Sequence, residues 1–275
     1  MNISIFARHT YLLDDEAGGV YLQRISARVR GEEMAQYLEA KLNPTEGFEK
    51  DVCIYVKPMH LDHIKDGSYV DILDDEHAFE MLKDRPGINV IAMSQAQYEY
   101  LKTQLKNKIV LIPHHHINFE EAVRSRKEII NCGVVGPNSS RPHVKINNIV
   151  KEELAKIGFN FKPLLNFLVR KDVIDYYKTI DIQVIGYFNY REDSPWRHPT
   201  KLINAASFGI PTIVAPSIGY KEFEGYYIRA GNMESLLIEA DKLRDKKYYS
   251  QWSAKIIKEA KKYHISEIAK LYKKL

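Results

Sequence analysis

The sequence predicts an α/β fold with parallel sheets, and two observations carry that expectation. Short apolar runs alternate with helical stretches along almost all of the 275 residues, which is the pattern of repeated strand–helix–strand units. The alternation also falls into two series of similar size. This predicts two Rossmann-like domains whose parallel sheets face each other across a cleft. The first domain is expected over 1–120 and the second over 121–275, with a linker near 114–128. The last helix is a candidate to cross back to the first domain.

In the first series the strands are expected at 2–7, 51–56, 69–73, 89–93 and 109–112. Each is a short Val/Ile-rich run of the kind that is buried on both faces of a sheet. Helical stretches fall between them at 31–42, 77–83 and 95–105. After Pro113 the order loosens through His114, His115 and His116. The second series has strands at 129–135, 159–161, 182–185, 212–215 and 226–229, with helices at 144–157, 171–179, 200–208 and 232–243 and a closing segment at 248–273.

Composition bounds the function classes. Hydrophobic residues make up 45% and charged residues 28%, as in globular proteins. No apolar run is long enough for a membrane-spanning helix, and the first residues read as a strand rather than a signal peptide. Cys53 and Cys132 each sit in an apolar run and read as core thiols of a reducing compartment, so a cytoplasmic location is expected. Net charge is only +4, but residues 241–275 hold eleven Lys/Arg against four Asp/Glu. Such a basic helical tail suits a solvated face, peripheral contact with the inner, anionic face of a membrane, or contact with nucleic acid.

The segment from Trp196 to Ala215 carries the most chemistry. It reads as a helix opened by Pro199 and closed by Gly209, followed after two residues by a buried strand. Arg197, His198 and Lys201 gather at its start, where the N–H groups of the first turn (that of Thr200 among them) and the helix dipole also favour an anion, most plausibly a phosphate. Arg197 offers a bidentate fork and Lys201 a point charge. Asn204 lies three residues after Lys201 on the same helix face and can both donate to and accept from a hydroxyl.

Ligands of open α/β sheets bind beyond the carboxyl ends of the strands, so the residues after each strand are the other candidates. The turn from Gly133 to Arg141 is no dinucleotide fingerprint and no P-loop. Gly136 nonetheless permits close approach of the backbone, and Arg141 adds a cation. The stretch 186–195 is a long aromatic-rich loop, with Tyr187 and Phe188 suited to stacking and Asp193 and Ser194 to sugar hydroxyls. In the first domain, His9 follows the first strand, Gly18 and Gly19 open the next segment, and Asp75 follows a strand where a general base would sit. Asp74 or Asp75 can instead cap the following helix. His114 and His116 are candidates to line the cleft. Three consecutive histidines in an extended chain point in alternate directions, so no metal site is expected there.

The stretch from Pro199 to Ala215 resembles the GT-B glycosyltransferases, particularly those related to the large retaining glycosyltransferase family 4. The family pattern is Pro-x-Lys-Leu-x-Glu-Ala, a small residue, x-Gly-x-Pro and an apolar strand. Residues 172–181 resemble the helix–strand segment that precedes the donor loop, and 70–75, 90–94 and 109–113 resemble later strands of the acceptor domain. The resemblance implies a hexosyltransferase-like enzyme that moves a sugar from a nucleotide-sugar to an acceptor hydroxyl without a bound metal or other cofactor. The acceptor is open: a glycan, a lipid-linked molecule or a nucleic-acid base. The resemblance puts the nucleotide phosphates near Thr200 and Lys201. An inverting reaction would call on Asp75 or His9 as base, and a retaining one needs no side-chain base. The chain departs from the family's Glu-x7-Glu pair, with Trp196 at the first position and Asn204 at the second. The alternatives are therefore a non-catalytic nucleotide-sugar-binding protein, or a sugar-nucleotide epimerase of the same architecture.

Overall fold

The computed structural model describes residues 2–7, 27–122, 128–136, 141–165, 167, 169–186 and 193–275, and it leaves the side chains of 141–145 outside that set. The chain is α/β with two parallel sheets. It divides into two compact units. One comprises Met1–His115, Ser194–His198 and Ile265–Leu275, and the other His116–Asp193 and Pro199–His264.

The first unit holds a six-stranded sheet of β1 (Ile3–Ala7), β2 (Lys41–Leu42), β3 (Val52–Val56), β4 (Tyr69–Asp71), β5 (Asn89–Ala92) and β6 (Ile109–Leu111), ordered β2-β1-β3-β4-β5-β6. Every pairing is parallel. Helices α1 (Glu33–Leu38), α2 (Glu76–Leu82) and α3 (Gln95–Gln104) lie between strands. Val70, Ile72, Val90 and Ala92 meet Phe79, Leu82 and Leu101 in the core. The starts of α2 and α3 are written in the sequence. The Asp75 carboxylate accepts from the His77 and Ala78 N–H groups at 3.1 Å, and the Ser94 hydroxyl accepts from Gln97 N–H at 3.2 Å, so each satisfies donors that a helix leaves over.

The second unit holds β7 (Asn131–Gly133), α4 (Arg141–Lys156), β8 (Asn160–Phe161), α5 (Arg170–Tyr177), β9 (Ile182–Ile185), α6 (Thr200–Ser207), β10 (Thr212–Val214), β11 (Ile228–Arg229), α7 (Met233–Lys242) and α8 (Lys246–Ala260). Its sheet is ordered β11-β10-β9-β7-β8, again with parallel pairs. The chain leaves β7 for β8 on one side and later returns to the other side with β9. The neighbouring carboxyl ends of β7 and β9 are therefore the topological switch point, where such sheets form a crevice.

Two local expectations change. The stretch 31–42 is not one helix: a π-helical turn Ala27–Glu32 runs into α1, Glu39 turns left-handed at φ 54°, and 41–42 becomes the edge strand β2. The closing segment 248–273 is not continuous either. After α8 comes a 3-10 turn, His264 is extended, and a separate helix α9 (Ile265–Tyr272) begins in the first unit. No helix among the described residues is long and apolar enough to cross a membrane.

Candidate functional site

At the switch point of the second unit, three glycines follow or end the strands. A Cβ on Gly133 would lie 1.9 Å from the Tyr176 hydroxyl, and one on Gly186 would lie 2.5 Å from a methyl of Val150 on α4. Both positions therefore need glycine for close packing. Gly136 is different, because what fills the space of its missing side chain is the Lys201 ammonium, 3.0 Å from the ideal Cβ position. A cation from the first turn of α6 is thus held over the bare backbone that follows β7.

The start of α6 is fixed from below. Gln183, fully buried on β9, donates to the Lys201 carbonyl at 2.9 Å and to the Thr212 hydroxyl at 3.0 Å, and accepts from the Tyr177 hydroxyl at 3.0 Å. One amide therefore ties α5, β10 and α6 to β9. Pro199 at the N-cap brings no side-chain acceptor to the helix start. At the other end, Gly209 adopts φ 68°, and a Cβ there would meet Ser253 Oγ at 2.4 Å, so glycine is required twice over.

Asn204 does not reach outward with both ends of its amide. Its Oδ1 accepts from the Ile117 N–H at 3.1 Å. Asn118 repeats the device by donating to the Ser207 carbonyl at 3.0 Å, and Arg170 donates to the Ile117 carbonyl at 2.6 Å. The stretch after the first unit is thereby stapled along α6. Trp196, at the other departure from the glutamate pair, packs edge-on against Phe79 at 5.4 Å and Tyr100 at 5.9 Å in the first unit's core.

Arg197 and His198 belong to the first unit, and Thr200, Lys201 and Asn204 to the second. His198 stacks on His114 with ring centres 4.7 Å apart. His114 is buried, which drives its pKa well below the usual histidine value, and the nearby His198 and Arg30 push the same way. Asp74 pairs with Lys57. Burial raises the Asp74 carboxyl, but Lys57 and His198 outweigh it and hold it below its ordinary range. Asp75 is engaged in capping α2. Beneath this group Arg30, fully buried, pairs with Asp71 at 2.6 Å and donates to the carbonyls of Ile112 and Pro113 at 2.9 and 2.7 Å.

The three consecutive histidines go to three different partners. His114 meets His198, His115 Nε2 lies 2.8 Å from the Val29 carbonyl, and His116 Nδ1 accepts from the Asn118 N–H at 3.2 Å. His116 also packs edge-on against His264 at 5.4 Å. The backbone of Arg141 opens α4, whose preceding strand is β7. His9, Gly18, Gly19, Tyr187 and Phe188 lie outside the described residues. Sequence reasoning passed over Gln183 and the Arg30–Asp71 pair. A glutamine inside Ile-Gln-Val-Ile was the available signal for the first, because a buried amide in a core strand needs partners.

No family model matches the chain, and no curated protein matches its sequence significantly. Solved structures do match. A mutant of S. aureus TarM, in complex with fondaparinux, alpha-GlcNAc-glycerol and UDP, aligns with a TM-score of 0.58 at 12% identity, over 84% of this chain and 52% of TarM. A second TarM structure aligns with a TM-score of 0.53 at 12% identity, over 84% and 51%. The chain shares the fold of the aligned part of TarM. AviGT4, a glycosyltransferase involved in avilamycin A biosynthesis, aligns with a TM-score of 0.48 at 9% identity, over 100% and 96%. The chain spans about half the length of TarM.

Proposed function

We propose that this protein is a glycosyltransferase that moves a sugar from a nucleotide-sugar donor to an acceptor hydroxyl. The observation that carries the reading is the Lys201 ammonium held over Gly136 at the switch point of the second unit. A diphosphate seated there would meet the Lys201 ammonium, the bare backbone after β7 and the N-terminus of an eight-residue helix. Charge builds on the leaving phosphate as the glycosidic bond breaks, and preorganised positive groups lower the barrier. In this reading Lys201 and the α6 start supply that charge without a bound metal or cofactor. The TarM complex with UDP and alpha-GlcNAc-glycerol supports a nucleotide-sugar donor and a hydroxyl acceptor on this fold. In the first unit Asp74, held ionised beside His198, replaces Asp75 as the carboxylate available to an inverting base.

A second reading is favoured by Trp196 and Asn204. Both stand where the resembling family has carboxylates, and both are engaged structurally, one in a core and one on the Ile117 backbone. A nucleotide-sugar-binding protein without transfer would have this pattern. A panel of labelled nucleotide-sugars, offered with glycan, lipid-linked and nucleic-acid acceptors, separates the two. Labelled acceptor product that falls at least tenfold in Lys201→Ala supports transfer. Tight donor binding with no product from any acceptor supports the second reading. Unchanged donor affinity in Lys201→Ala overturns the donor-site assignment in both.

A further inference from the structure

The first unit contains a cavity of about 660 Å³. It exists because the β3–β4 connection, 57–68, forms no helix. A parallel sheet needs a helix over each crossover to cover its face. On the β4–β6 side α2 and α3 do this, and over β1 and β3 a loop takes their place. Much of the cavity wall beside that loop is aromatic. Phe6 and Tyr55, register partners on adjacent strands, stack at 4.6 Å with their rings 9° from parallel. Phe48 meets Phe6 edge-on at 5.0 Å, and His63 meets Tyr55 edge-on at 5.7 Å. All four line the cavity.

Two carboxylates around this aromatic wall lie beside cations. Asp51 is bonded to Lys41 at 2.8 Å and to the Ser4 hydroxyl at 2.7 Å. Asp66 lies 3.8 Å from Arg85. No helix N-terminus stands in the lining. Its volume falls in the range of small-ligand pockets, which combine apolar walls with a few polar groups. A ring with C–H groups on one face and hydroxyls round its edge matches an aromatic floor rimmed by imidazole, serine and carboxylate groups.

We propose that this cavity is a binding site for a saccharide ring, which packs against the Phe6 and Phe48 side chains and takes hydrogen bonds from the 57–68 loop and its surroundings. The assignment stands on the cavity and is independent of the transfer reading. Where transfer also holds, a glycan becomes the acceptor class.

The test uses the full chain and a panel of neutral methyl glycosides. Saturation transfer from protein to glycoside ring protons reports binding. Cys53 lines the cavity and Cys132 is fully buried, so alkylation by iodoacetamide at mildly alkaline pH reads occupancy at Cys53. At least one glycoside should show saturation transfer and slow Cys53 alkylation several-fold. Phe48→Leu, which keeps apolar bulk without the ring, should abolish both effects while Lys201→Ala leaves both unchanged. Absence of saturation transfer and of protection across the panel overturns the proposal. So does protection by nucleoside diphosphates alone, or glycoside binding that survives Phe48→Leu. If glycosides bind and no nucleotide-sugar is consumed, the transfer reading fails and the saccharide site stands.

Discussion

Lys201 and Gly136 are 65 positions apart in sequence, yet the ammonium of one occupies the side-chain space of the other, 3.0 Å from where a Cβ would stand. The relationship separates local from distant causes. Proline, helix and lysine at 199–201 are one local signal, and the glycine after β7 is another. Only the strand order β9-β7-β8 brings them together.

Gly136→Ala should therefore weaken nucleoside diphosphate binding several-fold and leave the melting temperature almost unchanged. The added methyl meets the end of a flexible side chain, which can move cheaply, but it then no longer holds its charge over the backbone. Titration calorimetry with a nucleotide panel, beside thermal melts, checks this. Wild-type affinity in Gly136→Ala would show that the ammonium's position does not matter.

Gln183→Leu should cost about 1–3 kcal/mol, because it strands the buried Tyr177 hydroxyl, which donates to the Gln183 amide oxygen. Because the same amide fixes the first turn of α6, nucleotide affinity should fall as well. Urea unfolding monitored by circular dichroism gives the first quantity and calorimetry the second.

His114 makes stability depend on pH. Burial keeps its folded pKa well below the ordinary histidine value of 6.5, so near and below that value the unfolded chain binds a proton that the folded chain refuses. Stability from this group is full above about pH 6.5 and is lost as pH falls below it, at up to about 1.4 kcal/mol per pH unit. A His114→Phe variant should lose one proton's worth of that slope between the unfolded and folded values. Melting curves across that window, compared with the wild type, provide the check, and an unchanged slope would count against the burial of a neutral imidazole.

The basic α8 surface predicts contact with anionic membranes. Lys246, Lys247, Lys255 and Lys258 are exposed, and among the described residues no carboxylate pairs with them. The Lys255 ammonium sits 4.9 Å over the Trp252 ring and 5.4 Å over Tyr226. Phosphatidylglycerol vesicles should sediment the protein at low salt and release it at high salt. Each lysine near such a surface is worth about 1 kcal/mol, so Lys255→Glu with Lys258→Glu should reduce binding more than tenfold. Equal binding to uncharged phosphatidylcholine would rule out the electrostatic mechanism.

Much of the fold was legible because parallel strands are near-continuous apolar runs and their helices begin at readable caps such as Ser94 and Asn232. The helix at 200–207 and its glycine stop were equally plain. Long-range facts were not. Asp74 and Asp75 are equivalent as neighbours in a sequence, and only the extended backbone of Asp75 at the start of α2 commits it to capping. Trp196 gave no local sign that Phe79 and Tyr100 would claim it. The motif from Trp196 onward reads as one segment, but the division between units runs through it after His198.

That division recurs at four places: after His115, Asp193, His198 and His264. Neither unit is a continuous stretch of chain, so neither can be excised by a single cut. During synthesis the unit that contains the first strand cannot be completed until residues 265–275 have emerged, by which time all of the other unit's sequence has already been made. Order of appearance and order of completion are thus reversed. The first unit receives its last helix only after the second already has all of its residues.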